Sequence, residues 1–233
     1  DLNGDGTLDL LLPASNCVYT YWGIKQFPYF IQTNRAKFVG DFVNFGNLSN
    51  NSFGEKVEYV GGNAYTSFIS DINNDGKNDI VIGKGEQYNH NLFPMQPVLL
   101  LNQGSGKFNS NGLIKLPFYR PDDQINVTVQ DIVVDDVNGD GLKDIIAIND
   151  QMSKNPNRWA PWDIYCYIQQ KDGTYLIDKT IFQFSINSVR KGNWKRRLLY
   201  YDFNGDGKKD ISYIDDAIGN LQYKSVFIRT GNQ

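Results

Sequence analysis

The sequence predicts an all-β fold, a β-propeller of four-stranded blades, of which this chain supplies roughly 3.5 to 4. Three observations predict it. A nine-residue acidic stretch with glycine at its sixth position recurs four times. Each copy runs into a short aliphatic, largely β-branched segment, and further on comes a strand, a Gly- or Asn-containing turn and a closing aromatic residue. Four short antiparallel strands with their connections fit the repeat length, and radial repetition is one way an all-β chain protects its edges.

The clearest acidic stretch is Asp136-Val137-Asn138-Gly139-Asp140-Gly141-Leu142-Lys143-Asp144. Oxygen side chains at its positions 1, 3, 5 and 9, with the carbonyl of position 7, are spaced to converge on one hard cation that takes six to eight oxygens. Glycine at position 6 permits the sharp turn. The other copies start at Asp1, Asp71 and Asp202, giving spacings of 70, 65 and 66 residues. The proposed ligand sets are Asp1, Asn3, Asp5, Asp9 and the carbonyl of Thr7; Asp71, Asn73, Asp75, Asp79 and that of Lys77; Asp136, Asn138, Asp140, Asp144 and that of Leu142; and Asp202, Asn204, Asp206, Asp210 and that of Lys208. About four structural calcium ions are expected. Asn, Asp and Gly also build ordinary hairpin turns, but a turn has no need of three acids and an Asn at fixed spacing four times over.

An EF-hand would continue to a glutamate at position 12 on an exiting helix. Position 12 here is Leu12, Ile82, Ala147 or Tyr213, so position 9 must close each site. The segments Leu10-Leu11-Leu12, Ile80-Val81-Ile82, Ile145-Ile146-Ala147-Ile148 and Ile211-Ser212-Tyr213-Ile214 read as buried strands, the second of each unit. First strands precede the three internal loops at Tyr65–Ile69, Val127–Val134 and Arg197–Tyr201. A third strand and hairpin are clearest at Val98–Phe108, with equivalents at Tyr29–Phe38, where Tyr29-Phe30-Ile31 forms the strand, and at Tyr165–Tyr175; the fourth unit breaks off near Val226–Gln233. The closing aromatics Phe38, Phe108 and Tyr175 are expected to pack on their own units. Residues 1–233 thus form one segment with repeats starting near 1, 71, 136 and 202, and are expected to belong to a longer chain.

The Asp-x-Asn-x-Asp-Gly-x-x-Asp-Ile/Leu loops, with the Asn-x-Gly-x-Gly-x-Phe hairpin at 102–108, resemble the FG-GAP/VCBS repeats of integrin-α-type propellers. Asn74 replaces the first loop glycine in one copy, which is tolerable because Asn also enters the left-handed region. The resemblance implies a ring of about seven blades, so this chain would be a partial propeller completed by further blades from the same or another chain, in preference to a closed four-bladed ring. It also implies a binding or scaffolding module. Related calcium-bearing propellers occur in polysaccharide lyases, other secreted enzymes and toxins, which keeps a catalytic or accessory role as the alternative.

Composition is compatible with this. The formal charge is -3, and filled calcium loops would leave the protein mildly basic. Modest-affinity calcium sites fill readily outside the cell, so an extracellular, cell-surface or periplasmic location is expected. No apolar run is long enough to span a membrane as a helix. Cys17 and Cys166 fall at different phases of their repeats and read as buried thiols rather than a repeated staple.

If the acidic loops join strands 1 and 2, the opposite face of the ring carries the long insertions at 13–28, 84–97 and 149–163. Their aromatics either fold back over the blades or form a contact surface for a protein or glycan. The candidates are Trp22, Tyr88, Trp159 and Trp162, with Trp194 in the basic run Arg190–Arg197. Nucleic acid is not expected as a partner, and His90, the only histidine, has no companion ligand for zinc. No nucleophile and base are paired in the sequence. The adjacent acids Asp122-Asp123 and Asp215-Asp216 would point to opposite faces of a strand, so no enzymatic activity is expected.

Overall fold

The computed structural model describes residues 1–14, 17–23, 25, 43–44, 63–85, 97–106, 108, 110–117, 119, 125–153, 162–181, 185–186, 196–216 and 224–229. Its strands form four antiparallel sheets, each ordered as the chain runs. Sheet I holds β1 (Leu10–Ala14), β2 (Cys17–Tyr21) and β3 (Val43–Asn44); sheet II holds β4 (Asn63–Ser70), β5 (Asp79–Gly85), β6 (Val98–Leu100) and β7 (Leu113–Lys115). Sheet III holds β8 (Ile125–Asp135), β9 (Asp144–Ser153), β10 (Trp162–Gln169) and β11 (Tyr175–Asp178), with β12 (Ser185–Ile186) paired to the start of β10. Sheet IV holds β13 (Arg196–Tyr201), β14 (Asp210–Asp216) and β15 (Lys224–Arg229).

The acidic loops join the first strand to the second in sheets II, III and IV, and the first loop leads into β1. The aliphatic runs after the second and third loops, Ile80-Val81-Ile82 and Ile145-Ile146-Ala147-Ile148, are buried on both sides because sheets cover both faces. Ile80 and Ile82 pack with Leu2 of the first loop, whereas Val81 between them packs with Ile132, Val134 and Ile145 of sheet III. Along β9, Ile145 and Ala147 face sheet II, while Ile146 and Ile148 face Leu198 and Ile211 of sheet IV. A period-two strand whose two faces both meet a neighbour needs apolar residues at every position. The sheets therefore stack in the order I, II, III, IV, each interface a separate hydrophobic layer.

Two bulges reinforce this stacking. The β4–β5 register shifts between Ala64 and Thr66, and the β8–β9 register between Val129 and Asp131. Thr66 and Asp131 each stand five residues before their loop, and a bulge re-aims a side chain. Thr66 Oγ1 donates to Asp131 Oδ1 at 3.1 Å, and the Leu198 amide donates to Asp131 Oδ2 at 2.8 Å. One buried carboxylate thereby ties sheets II, III and IV.

Three sequence expectations need correction. The third strand of the first unit is Cys17–Tyr21, which pairs along β1 from Ala14↔Cys17 to Leu10↔Tyr21. Tyr29-Phe30-Ile31 does not take that place and lies outside the described residues. A connection of two residues closes at lower entropic cost than one of fourteen or more. The insertion expected at 149–163 is shorter, since β9 continues to Ser153 and β10 starts at Trp162. The hairpin expected to close at Phe108 closes later, through a single 3-10 turn at Ser110–Gly112, with Leu113–Lys115 as the fourth strand. Phe108 still packs as expected on its own unit, in the layer formed by Ile80, Ile82, Val98 and Leu100 with Leu2. In sheet III the tight hairpin forms as expected, with the Gln170 amide donating to the Thr174 carbonyl at 2.7 Å and Tyr175 buried in the layer between sheets II and III.

Candidate metal centres

The four loops share one backbone plan. Glycine at position 6 has φ of 81° in Gly6, 83° in Gly76, 85° in Gly141 and 84° in Gly207. Position 4 is also left-handed, and Asn74 adopts φ 58° where the other copies have glycine. This backbone wraps around the position-1 carboxylate. Asp136 Oδ1 accepts the amides of Gly139 at 2.7 Å and Asp140 at 3.1 Å, and its Oδ2 accepts that of Gly141 at 2.9 Å. Asp1 and Asp202 are held by the same three contacts, from Gly4, Asp5 and Gly6 and from Gly205, Asp206 and Gly207. Asp71 accepts from Asp75 and Gly76.

The remaining donors follow the same order. Asn138 Oδ1 accepts the amide of Asp140 at 3.0 Å, and Asp140 Oδ1 accepts that of Leu142 at 2.8 Å. Asn3 with Asp5, Asn73 with Asp75 and Asn204 with Asp206 repeat the first contact, and the amides of Thr7, Lys77 and Lys208 repeat the second. Position 5 lies in solvent. The Thr7 hydroxyl beside Asp5 and the Lys77 ammonium on Asp75 hold those carboxyls below the usual range. The Gly207 amide does the same for Asp202.

Position 9 differs from the others and carries a role that spacing alone did not reveal. Asp79, Asp144 and Asp210 are fully buried. Asp144 Oδ2 accepts the amide of Val137 at 3.0 Å, and its Oδ1 accepts that of Gln169, at the end of the third strand, at 2.9 Å. Asp79 joins the amides of Ile72 and Asn102 in the same way, and Asp9 those of Leu2 and Gly23. Asp210 accepts from Phe203. Each position-9 carboxylate therefore fastens the start of its loop, and in the first three copies it also fastens the loop to the third strand.

Burial pushes the carboxyls of Asp79 and Asp144 upward, and the other acids of their own loops, Asp71 with Asp75 and Asp136 with Asp140, push the same way. Negative charge thus accumulates at the loops. Among the described residues, however, no three histidine, cysteine or acidic side chains gather closely enough to define a metal centre. The loop oxygens are turned instead to backbone amides. Some oxygens already accept two donors, as Asp136 Oδ1 does from Gly139 and Asp140; those with a single donor, such as Asp136 Oδ2 and both oxygens of Asp144, keep a second lone pair, so the donors remain suited in kind and order to a hard cation.

Loops are also latched to the next sheet. Asn78 Nδ2 donates to the Asp1 carbonyl at 2.9 Å, and Asn102 Nδ2 donates to the Leu2 carbonyl at 2.8 Å and the Asn78 carbonyl at 3.0 Å. Asn102 was legible only as a hairpin residue, and nothing in the spacing pointed it at the preceding loop.

Of the aromatics expected to form a contact face, Trp22 and Trp162 lie among the described residues. Trp22 follows β2 and lies at the loop end of the stack, half-buried against the layer between sheets I and II. A Cβ on Gly106 would come within 2.5 Å of its ring, so the Trp22 indole takes the space that glycine leaves. Trp162 belongs to β10 and pairs with Ile186, rather than standing in a loop. Tyr88, Trp159, Trp194 and His90 lie outside the described residues, as do Asp122, Asp123 and residues 190–195 of the basic run. Arg197, at the end of that run, is exposed and stands 3.7 Å from Asp131.

The fold and the loops define an all-β repeat protein of stacked antiparallel sheets with an acidic turn in every unit. Residues 136–213, which include the third and fourth acidic loops, match the family model of an FG-GAP-like repeat, so the chain carries an FG-GAP-like repeat. No curated protein and no solved structure matches the chain. Among the described residues no helix is long and apolar enough to cross a membrane.

Proposed function

We propose that the chain is a calcium-stabilised segment of an integrin-α-type β-propeller, working outside the cell, at its surface or in a periplasm as a binding or scaffolding module. The observation that carries this reading is the recurrence of one loop plan in all four copies, with the position-1 carboxylate wrapped by amides and the position-9 carboxylate joined to the loop start. Four loops that repeat the same oxygen donors in the same order are what a hard cation requires and more than a turn needs. Calcium would draw the carboxylates and the position-7 carbonyl together and relieve the repulsion between them.

The ion supplies charge neutralisation and rigidity, not chemistry on a substrate. The chain's own residues do the rest: the position-9 aspartates fix strand 1 to strand 2, and Asn78 and Asn102 pass that order to the next sheet. The partner is a protein or glycan, met on loops at the end of the stack away from the acidic turns, and further blades from this or another chain cover the open sheet faces. Turnover is not part of the reading, because no acid and base converge in the sequence.

The test is thermal melting of Asp140→Ala with calcium and with chelator. A loss of stability confined to the calcium condition supports the metal role; equal loss in both conditions removes it for that loop. Incubation with acidic polysaccharides, followed by absorbance of unsaturated products, tests the lyase alternative, and product release would replace binding by catalysis.

A further inference from the structure

The contact between the first two units is built differently from the later ones. At the start of the first loop three successive backbone groups are held. The Asp1 carbonyl accepts Asn78 Nδ2 at 2.9 Å, the Leu2 amide donates to Asp9 Oδ2 at 2.6 Å, and the Leu2 carbonyl accepts Asn102 Nδ2 at 2.8 Å. Two of the three partners, Asn78 and Asn102, belong to the second unit.

Asn102 is buried and works in two directions. Its backbone amide donates to Asp79 Oδ1 at 2.8 Å, its Oδ1 accepts the Gly104 amide at 2.9 Å, and its Nδ2 donates to the carbonyls of both Leu2 and Asn78. Exchanging Oδ1 and Nδ2 would set an oxygen against two carbonyls and a donor against an amide, so the carboxamide has one orientation. One residue thus touches position 9 of the second loop through its backbone and the start of the first loop through its side chain.

Other residues take these places at the later steps. Gln169 stands where the third unit repeats Asn102, with its amide on Asp144, but its Oε1 accepts the Lys143 amide of its own unit at 3.0 Å. Lys143 and Lys209 stand where the second unit has Asn78, and neither carries a carboxamide. Lys209 pairs instead with Asp135, the residue before the third loop. Among the described residues the double carboxamide latch therefore belongs to the first and second loops.

We propose that Asn102 is a positioning residue for cation binding in the first loop, and that through it the first and second loops bind as a coupled pair. This rests on the calcium reading and adds a regulation to it. Asp79 Oδ1 holds the backbone of Asn102, and the Asn102 side chain holds the Leu2 carbonyl, next to the position-3 ligand Asn3. A loop ordered by its ion lends that order to its partner, and the effect is reciprocal, since linkage acts equally on both sites. The same hairpin adds a packing contact: a Cβ on Gly106 would lie 2.5 Å from the Trp22 ring and 3.4 Å from Asn3 Cα. Trp22 thus stands beside the first loop and reports on it.

The experiment is a terbium titration of the 233-residue chain, read as emission sensitised by tryptophan, with the part lost in Trp22→Phe assigned to the first loop. Terbium stands in for calcium as a hard cation that takes oxygen ligands. Asn102→Ala and Asp71→Ala should each weaken the Trp22-dependent site at least about fivefold. Asp71→Ala removes a ligand of the second loop, so its effect on the first reads the coupling. Gln103→Ala, at the exposed neighbour in the hairpin, should leave that site unchanged. Asn78→Ala, which removes the side-chain bond to the Asp1 carbonyl, carries the same expectation if melting shows that Asn102→Ala does not fold. Unchanged affinity of the first loop in the latch variant or in Asp71→Ala, equal weakening by Gln103→Ala, or terbium uptake with no Trp22-dependent emission would overturn the proposal and leave the calcium reading standing. Failure of the wild type to take up terbium or calcium at all is the separate result that removes the calcium reading, and the coupling with it.

Discussion

Replacing Asp144 by alanine should cost more stability than replacing any exposed loop acid, and it should do so without calcium. Asp144 is fully buried and accepts two backbone amides, from Val137 at 3.0 Å and Gln169 at 2.9 Å. Alanine leaves both donors without an acceptor inside the protein, at about 1–3 kcal/mol each. Part of that loss is offset, because burial and the neighbouring acids already disfavour the charged carboxylate. The net loss is about 2–4 kcal/mol, or roughly 4–16 °C in melting temperature for a chain of this size. Asp140→Ala removes contacts that lie in solvent, to Leu142 and Asn138, and should cost under about 1 kcal/mol in chelator. Asp144→Asn keeps one acceptor and should fall between them. The assay is urea unfolding in excess chelator, comparing midpoints at constant slope. Equal losses for Asp144→Ala and Asp140→Ala would refute the view that position 9 fastens the loop through its amide contacts.

Other predictions bear on the stack itself. Gly83→Ala places a Cβ 2.5 Å from Thr66 Cγ2 and 2.8 Å from Val129 Cγ1, so overpacking between sheets II and III should lower stability by about 1–3 kcal/mol in urea melts. Asp131→Ala should remove about 2–4 kcal/mol, and a double-mutant cycle with Thr66→Val should show coupling, since the two side chains bond at 3.1 Å. Cys166 is buried, and burial with the nearby Asp144 and Asp178 charges raises its thiol well above the ordinary range. In a Cys17→Ser background Cys166 should resist aromatic disulfide reagents at pH 8 and react fully in denaturant; prompt labelling of the native protein would contradict its place in the layer between sheets III and IV.

Much of the fold was legible because it is local. The loops appear as alternating oxygens and a glycine, and Ile80-Val81-Ile82 reads as a strand covered on both faces before any neighbour is known. Non-local choices were less readable. Both Cys17–Tyr21 and Tyr29-Phe30-Ile31 have strand-forming residues, and only pairing along Leu10–Ala14 decides between them. Trp22 shows no packing neighbour in the sequence, and one that the structure gives it, Gly106, lies 84 residues away in the chain. Asp131 carried no signal either, because its role depends on a bulge and on amides from another sheet. Position 9 was picked out as a ligand, and its second role, holding the amides of position 2 and of the third strand, required the three-dimensional register.

Calorimetric titration of the metal-stripped chain with calcium, followed by melting with and without the ion, tests the central claim most directly. The account predicts about four sites and a large rise in melting temperature, since an ion bound only by the folded loops stabilises them by mass action. Absence of binding, or binding with no gain in stability, would contradict it and leave the acidic loops as turns held by their own amides.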